Sequence, residues 1–308
     1  MNAEDCMNEL NAIREGISTI IIGKERAIRL SLTCLLANGH LLIEDVPGVG
    51  KTTLAHSLAR VLGMEYQRIQ FTSDLLPADI LGVNVYDRET GSFHFHPGPV
   101  FSQLILADEI NRATPKTQSA LLEAMEEQQV SIEGVTHTLP APFFVIATQN
   151  PLEQAGTFPL PESQLDRFIL RISLGYPDAS SERALLLGED RRDLLKTLAP
   201  VTSPERIRAI QTRVSSIKCS EALIDYIQQL IQWTRNGHYH QGLSPRAALA
   251  LLRSGRAWAL LDGRDFVLPE DIQAVLPGLI AHRLVPHNAP SLTADELAQE
   301  IIDSVPIP

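Results

Sequence analysis

The sequence predicts an α/β domain with a parallel sheet, followed by an all-helical domain. Three short apolar runs in the first half, at 41–43, 104–107 and 143–147, have the pattern of strands buried on both faces. Beyond about Tyr176 no comparable run follows, and the apolar residues recur at helical spacing instead. Glycine and proline at 175–177 mark the boundary, which predicts domains at 1–176 and 177–308.

Local signals place several helix starts and two hairpins within this outline. The pairs Thr114-Pro115 and Ser244-Pro245 each combine a good N-cap with a proline suited to the first helical turn. Alternating residues on either side of turns at 87–91 and 133–134 predict two β-hairpins. The helices that follow Pro245 belong to the second domain.

The composition argues against several functional classes. The 308 residues include 26 Lys and Arg and 37 Asp and Glu, which gives a net charge of −11. This charge disfavours a general affinity for nucleic acid. The longest apolar run has six residues, whereas a membrane span needs about twenty. Three scattered cysteines and an acidic start fit neither a disulfide framework nor a secretory signal. We therefore expect a cytoplasmic protein with no membrane span.

The strongest signal is the stretch 45–52, Asp-Val-Pro-Gly-Val-Gly-Lys-Thr, between an apolar run and a helical pattern. This order of strand, loop and helix is typical of a phosphate-binding loop. Gly48 and Gly50 allow the backbone N–H groups to approach phosphate oxygens closely. Lys51 offers a cation to the β- and γ-phosphates of ATP, and Thr52 offers a hydroxyl to Mg²⁺.

The loop departs from the strict motif at its first position, which is Asp45 instead of glycine. Asp tolerates unusual backbone dihedrals better than most residues, so we expect the loop to keep its shape. An ordinary glycine turn is the alternative interpretation. The predicted nucleotide-binding residues of this loop are Pro47, Gly48, Val49, Gly50, Lys51, Thr52 and Thr53.

Two acids, Asp108 and Glu109, end the second apolar run. Open α/β sheets bind ligands at the carboxyl ends of their strands, and successive strand side chains point in opposite directions. Asp108 can thus face Mg²⁺ while Glu109 polarises a water for attack on the γ-phosphate. A pair of helix-capping acids is the alternative.

Three further polar residues carry weaker signals. Asn150 follows the third strand, where its amide can hold the attacking water, although Asn-Pro is also a turn signal. Arg167 is a candidate arginine finger, with a surface pair to Asp166 as the alternative. Arg246 reaches a nucleotide only if the helical domain folds over it, and is otherwise a solvated arginine.

Taken together, these stretches resemble a MoxR-type AAA+ ATPase. The resemblance rests on four segments in the right order, 46–52, 107–113, 147–151 and 160–168, together with 244–247. It implies a P-loop NTPase fold, a three-layer αβα domain with a helical lid. It also implies Walker A at 45–52, Walker B at 104–109, sensor 1 at Asn150, an arginine finger at Arg167 and sensor 2 at Arg246. Ile22 and Gly23 resemble the segment that lines the adenine pocket.

The resemblance further implies a homo-oligomer, a hexameric ring that remodels or matures partner proteins, often with von Willebrand factor A-type partners. The two hairpins resemble inserts that project toward a ring pore, although simple sheet decoration is the alternative. Two other functions share these motifs: a metal-chelatase ATPase subunit and a nucleic-acid translocase. A nucleotide-switched binding module without turnover is disfavoured by Glu109 and Arg167.

Overall fold

The computed structural model of the chain describes residues 3–150, 156–188, 190–287 and 292–307. Its centre is a five-stranded, all-parallel sheet in the order β2-β5-β8-β1-β9. Two antiparallel hairpins, β3-β4 and β6-β7, stand outside this sheet. The strands are β1 Leu41–Glu44, β2 Tyr66–Gln70, β3 Gly82–Asp87, β4 Ser92–Pro97, β5 Leu104–Asp108, β6 Gln129–Ile132, β7 Val135–Thr138, β8 Phe144–Gln149 and β9 Leu170–Ile172.

The helices divide into two groups along the chain. Six accompany the sheet: α1 Ala3–Ser18, α2 Glu25–Leu36, α3 Lys51–Leu62, α4 Pro77–Leu81, α5 Pro115–Glu127 and α6 Glu162–Leu165. The others follow it: α7 Ala179–Leu187, α8 Arg191–Thr197, α9 Pro204–Ser215, α10 Glu221–Thr234, α11 Pro245–Leu261, α12 Pro269–Ile280 and α13 Ala294–Ser304. The predicted sequence of an α/β unit and then a helical unit is confirmed.

The strands separate two hydrophobic cores, as successive side chains on a strand point to opposite faces. Leu41, Ile43 and Leu106 join a core that contains α1, α2, α3 and the later helices. Leu42 and Ile105 join a second core under α5. These residues are almost completely buried on both faces, which explains why their runs read as continuously apolar.

The later helices extend the first core and do not form a separate one. Apolar side chains of α9 to α13 belong to the same cluster as those of α1 and α2. In addition, α11 packs on α2 and α12 packs on β9. This packing holds the helical unit against one face and one edge of the sheet.

Both predicted hairpins are present, and they contact each other. Phe95 of β4 stacks on His137 of β7 with ring centroids 4.0 Å apart, and the Asn84 amide donates to Glu133 at 2.7 Å. Strand β2 was not predicted, since only Ile69 of its five residues is buried. Among the described residues, no helix combines the length and the apolar character that crossing a membrane requires.

Candidate functional site

The predicted loop, acids and amide lie together at the carboxyl ends of three adjacent strands. Strands β5, β8 and β1 are neighbours and parallel, so their carboxyl ends lie side by side. Asp108 is the last residue of β5, Asn150 follows β8, and the glycine loop follows β1. They enclose a cavity of about 270 Å³ lined by Pro47, Gly48, Gly50, Lys51, Thr52, Thr53, Asp108, Glu109 and Asn150.

The glycines of the loop adopt backbone conformations that other residues rarely reach. Gly48 has φ +85° and Gly50 has φ +99°, and a Cβ added at either position would meet no atom within 4 Å. The loop is therefore open toward the cavity. Helix α3 begins immediately afterwards at Lys51, so its unpaired N–H groups and positive dipole end face the same space. The Val49 side chain packs against the first core.

Asp45 keeps the loop in shape for a different reason from the one expected. It is not among the residues with positive φ, so its tolerance of unusual dihedrals is not used. Instead its Oδ2 accepts hydrogen bonds from Ser173 Oγ at 2.9 Å and from the N–H groups of Leu174 and Gly175, each at 2.7 Å. Burial alone would raise the pKa of Asp45, but these bonds hold it below its ordinary value.

The buried carboxylate of Asp108 is bound from two sides. Its Oδ1 accepts the Thr148 hydroxyl at 2.6 Å, and its Oδ2 accepts Arg68 Nη2 at 2.6 Å. Arg68 comes from β2, which pairs with β5. Thr148 therefore fixes the orientation of the carboxylate, while the half-exposed Arg68 neutralises it.

Glu109 lines the same cavity from outside the strand. Because β5 ends at Asp108, strand alternation does not set the direction of Glu109. Its φ of +57° is unusual for a residue with a Cβ. Thr148 Oγ1 accepts the Glu109 N–H at 2.9 Å and so supports this conformation, while Gln70 Nε2 donates to Glu109 Oε2 at 2.9 Å.

The residues around the cavity fit a magnesium nucleotide. The open glycine positions and the start of α3 provide N–H donors for phosphate. Lys51 Nζ donates to the Asp45 carbonyl at 2.6 Å, so the ammonium group lies against the loop. The Thr52 hydroxyl and the Asp108 carboxylate are oxygen donors of the type Mg²⁺ prefers. Asn150 is buried, whereas Pro151, the next residue of the predicted sensor segment, lies outside the described residues.

A second cavity, of about 630 Å³, lies next to Asp45's hydrogen-bond partners. Gly23, Ser173 and Leu174 line it, and so do Pro277 and Gly278 of α12. Ile22 is partly buried beside Gly23. The cavity is thus bounded by the segment predicted to contact adenine and by the helical unit.

Arg167 and Arg246 lie elsewhere, near the amino end of β1. Both bind the carboxylate of Glu126, Arg167 through Nη2 at 2.9 Å. The cavity that they share is also lined by residues 38–40, which precede β1. The phosphate loop follows β1, whose four residues span about 13 Å. The helical unit therefore does not bring Arg246 over the glycine loop of its own chain.

An ion pair of Asp166 attaches the helical unit near the amino end of β1. Its Oδ1 accepts Arg283 Nε at 2.7 Å, and Arg283 Nη2 also donates to the Phe168 carbonyl at 2.7 Å. Arg283 is buried. Asp166 thus pairs with Arg283 of the helical unit, and its neighbour Arg167 pairs with Glu126. The surface pair between Asp166 and Arg167 is not the arrangement found.

Sequence reasoning missed four residues of this region. Arg68 and Gln70 lie on the unpredicted strand β2, and the sequence offers no sign that they meet Asp108 and Glu109. Thr148 precedes Asn150 by two residues, and a hydroxyl in an otherwise apolar strand was an available signal. Glu126 lies on α5, and its local sequence does not indicate two arginine partners. Arg167 and Arg246 hold the pKa of Glu126 below its ordinary value, with the hydrogen bond from Arg246 as the larger cause.

Comparison with known proteins gives concordant matches over both units. Residues 40–170 match the model of the ATPase family associated with various cellular activities (AAA), and residues 238–305 match the AAA lid domain. The uncharacterized protein YeaC of Bacillus subtilis is 44% identical, covering 99% of this chain and 97% of that protein. Chaperone MoxR1 of Mycobacterium tuberculosis is 39% identical, covering 99% and 82%.

A solved structure agrees with the fold over nearly its whole length. The crystal structure of a provisionally assigned ATPase from Cytophaga hutchinsonii superimposes with a TM-score of 0.89 at 36% identity. The match covers 99% of this chain and 97% of that one. The match therefore includes both the sheet unit and the helical unit.

Proposed function

Because the chain belongs to the MoxR-type family of AAA ATPases, we propose that it hydrolyses ATP with Mg²⁺ and uses the energy to remodel partner proteins. The observation that carries this proposal is the 270 Å³ cavity, in which the glycine loop, Lys51 and the acids Asp108 and Glu109 meet. A loop that binds phosphate and a carboxylate pair beside it are the two parts that hydrolysis of a phosphoanhydride needs.

The chain's own residues supply binding, orientation and charge. The N–H groups at the start of α3 and the Lys51 ammonium hold the phosphates and neutralise charge that develops during the reaction. Glu109 and Asn150 orient the attacking water in line with the bond that breaks. Thr52 and Asp108 would hold Mg²⁺, which would supply positive charge to stabilise the phosphates.

Arg167 acts on the nucleotide of a neighbouring subunit in this proposal. It lies near the amino end of β1, whereas the phosphate loop of the same chain follows the carboxyl end. A guanidinium at the amino ends of the strands can stabilise the reacting phosphates only if a second copy of the chain places its phosphate loop beside that guanidinium. Arg246 shares Glu126 with Arg167 and belongs to the same surface. This placement supports a homo-oligomeric ring, which we take to be hexameric.

The proposed clients are proteins, with von Willebrand factor A-type domains as the expected partners. The net charge of −11 supports protein over nucleic acid. The paired hairpins β3-β4 and β6-β7 provide a surface for such a client, since Tyr86 and Phe93 near the tip of the first are exposed. The relative named as a chaperone agrees with this class of activity.

Phosphate release from ATP by the purified chain tests the proposal. Lys51→Ala should abolish ATP binding measured by calorimetry, whereas Lys218→Ala, at an exposed lysine of the helical unit, should bind as the parent chain does. Unchanged ATP affinity in Lys51→Ala would refute the placement of the loop.

Adding partners to the same assay separates the alternatives. Stimulation by a von Willebrand factor A-type protein supports the proposal. Stimulation by DNA would indicate a translocase, and stimulation only by a porphyrin-metallating subunit would indicate a chelatase component. Clients can be captured with Glu109→Gln in the presence of ATP, with Lys51→Ala as control. Equal recovery with both variants would argue against nucleotide-dependent binding.

A further inference from the structure

We propose that Asp45 is a positioning residue that anchors the phosphate loop to the connection between β9 and the helical unit. The inference rests on the proposed ATP hydrolysis and concerns how the loop is held during it. Asp45 stands where the strict phosphate-loop motif has glycine. The structure gives that side chain specific partners.

The first observation is how completely the carboxylate is engaged. Oδ2 accepts three hydrogen bonds from the segment 173–175, at 2.7 to 2.9 Å, and Oδ1 accepts the Val46 N–H at 2.8 Å. The residue is 7% exposed. Hydrogen bonds to a buried charged acceptor are stronger than those to a neutral one, so this is a firm attachment.

The second observation is that Asp45 is bound on its other side by the loop itself. Lys51 Nζ donates to the Asp45 backbone carbonyl at 2.6 Å. The same residue therefore joins the phosphate-binding lysine to the segment 173–175. Asp45 does not itself line the 270 Å³ cavity, so its negative charge is not presented to phosphate there.

The third observation is what the segment 173–175 touches. It follows β9 and precedes α7, the first helix of the helical unit. Ser173 and Leu174 share the 630 Å³ cavity with Pro277 and Gly278 of α12. A displacement of the loop relative to this segment would thus change how the nucleotide sits between the sheet and the helical unit.

A carboxylate is not needed to close a phosphate loop, so a purely local role does not explain Asp45. Glycine at this position would need no partners and would carry no charge. The geometry instead makes the carboxylate a fixed point between two segments that lie about 130 residues apart in sequence. Its loss should misplace the phosphates slightly, and a misplacement of about 1 Å can lower a rate a hundredfold.

The test compares Asp45→Gly, which restores the strict glycine motif, with Asp45→Asn and Ser173→Ala. Asp45→Gly should retain ATP affinity within roughly threefold but lower kcat roughly tenfold or more. Asp45→Asn loses the charge and the bond to Val46, so its effect should be intermediate. Ser173→Ala removes one of the three donors and should have a smaller effect, with no further loss when combined with Asp45→Gly. Asp193→Asn, at an exposed carboxylate of α8, is the matched control.

Amide hydrogen exchange gives a readout that does not depend on turnover. The N–H groups of Leu174 and Gly175 should exchange faster in Asp45→Gly than in the parent chain, while α11 exchanges at the same rate. Unchanged kcat in Asp45→Gly would overturn the proposal. So would a fall in kcat matched by an equal fall in ATP affinity, since that outcome indicates a collapsed loop.

These outcomes are distinct from failure of the proposed function. If the parent chain hydrolyses no ATP, the proposed function fails, and the exchange rates at 174–175 still decide whether Asp45 anchors the loop. If Asp45→Gly does not fold, the graded effects of Asp45→Asn and Ser173→Ala decide instead. Parental kcat in both of these variants would then refute the anchor.

Discussion

Arg68 binds the carboxylate of Asp108, with Nη2 2.6 Å and Nε 3.1 Å from Oδ2. The other oxygen of that carboxylate accepts the Thr148 hydroxyl at 2.6 Å. Both oxygens of the proposed magnesium ligand therefore have protein partners. Arg68 is half-exposed and can swing into solvent, whereas Thr148 is buried. A cation that approaches Oδ2 competes with the guanidinium of Arg68.

Arg68→Ala should therefore lower the Mg²⁺ concentration that gives half-maximal ATP hydrolysis. A partly exposed ion pair contributes up to about 1 kcal/mol, which corresponds to a shift of roughly threefold to fivefold. The measurement is phosphate release at saturating ATP across a magnesium titration. Arg208→Ala, at an exposed arginine of α9, is the control. A higher magnesium requirement in Arg68→Ala would show that Arg68 assists the cation.

Glu109→Gln should bind ATP with parental affinity but hydrolyse it about a hundredfold to ten-thousandfold more slowly. The amide keeps the size of the side chain and loses the charge that orients water. Single-turnover hydrolysis and calorimetry measure the two effects separately. Glu123→Gln, at an exposed position of α5, should behave as the parent chain does. Normal turnover in Glu109→Gln would remove Glu109 from this role.

Mixing two inactive variants should restore activity if Arg167 acts on a neighbour. A Lys51→Ala subunit still presents Arg167, and an Arg167→Ala subunit still binds ATP. In a randomly mixed ring at equal amounts, about one half times one half, or one quarter, of the interfaces combine both intact parts. As a control, Lys51→Ala mixed with the Lys51→Ala, Arg167→Ala double variant should stay inactive, because neither subunit binds ATP. Absence of recovery in rings shown by mass spectrometry to be mixed would contradict action between subunits.

Asp271→Ala should destabilise the helical unit strongly. The buried Asp271 accepts both terminal nitrogens of Arg264 and also the Leu268 N–H at 2.8 Å, at the start of α12. Removing one partner of a buried ion pair costs about 3 to 5 kcal/mol of unfolding free energy. Denaturant unfolding measures the loss. Glu270→Ala removes an exposed acid from the same helical turn, so equal destabilisation by both variants would rule out the ion pair as the cause.

Much of the fold could be predicted because buried parallel strands need apolar side chains on both faces. The runs at 41–43 and 104–107 are almost wholly buried, and each became a strand of the central sheet. The prolines after Thr114 and Ser244 likewise mark the starts of α5 and α11. Strand β2 escaped prediction because an edge strand with one buried residue has no such pattern.

The candidate site likewise has some residues that the sequence predicts and others that it does not. That the glycine loop and the acids at 108–109 would meet at one cavity was predictable, because the motif consists of particular residue types in a short, ordered stretch. Arg68, Thr148 and Glu126 were not, since their roles depend on partners contributed by other strands and helices. The role of Asp45 also lay outside the motif, because its partners follow β9.

By itself, the sequence determined the glycine loop, the pair of acids at a strand end and the parallel sheet that holds them. These features depend on local residue types and short spacing, which a sequence displays directly. Only the tertiary structure decided that Arg167 and Arg246 lie across the sheet from the phosphate loop. That placement results from the packing of α11 on α2 and from the Asp166–Arg283 ion pair. Contacts between segments more than a hundred residues apart have no local pattern, and they set which surface a neighbouring subunit meets.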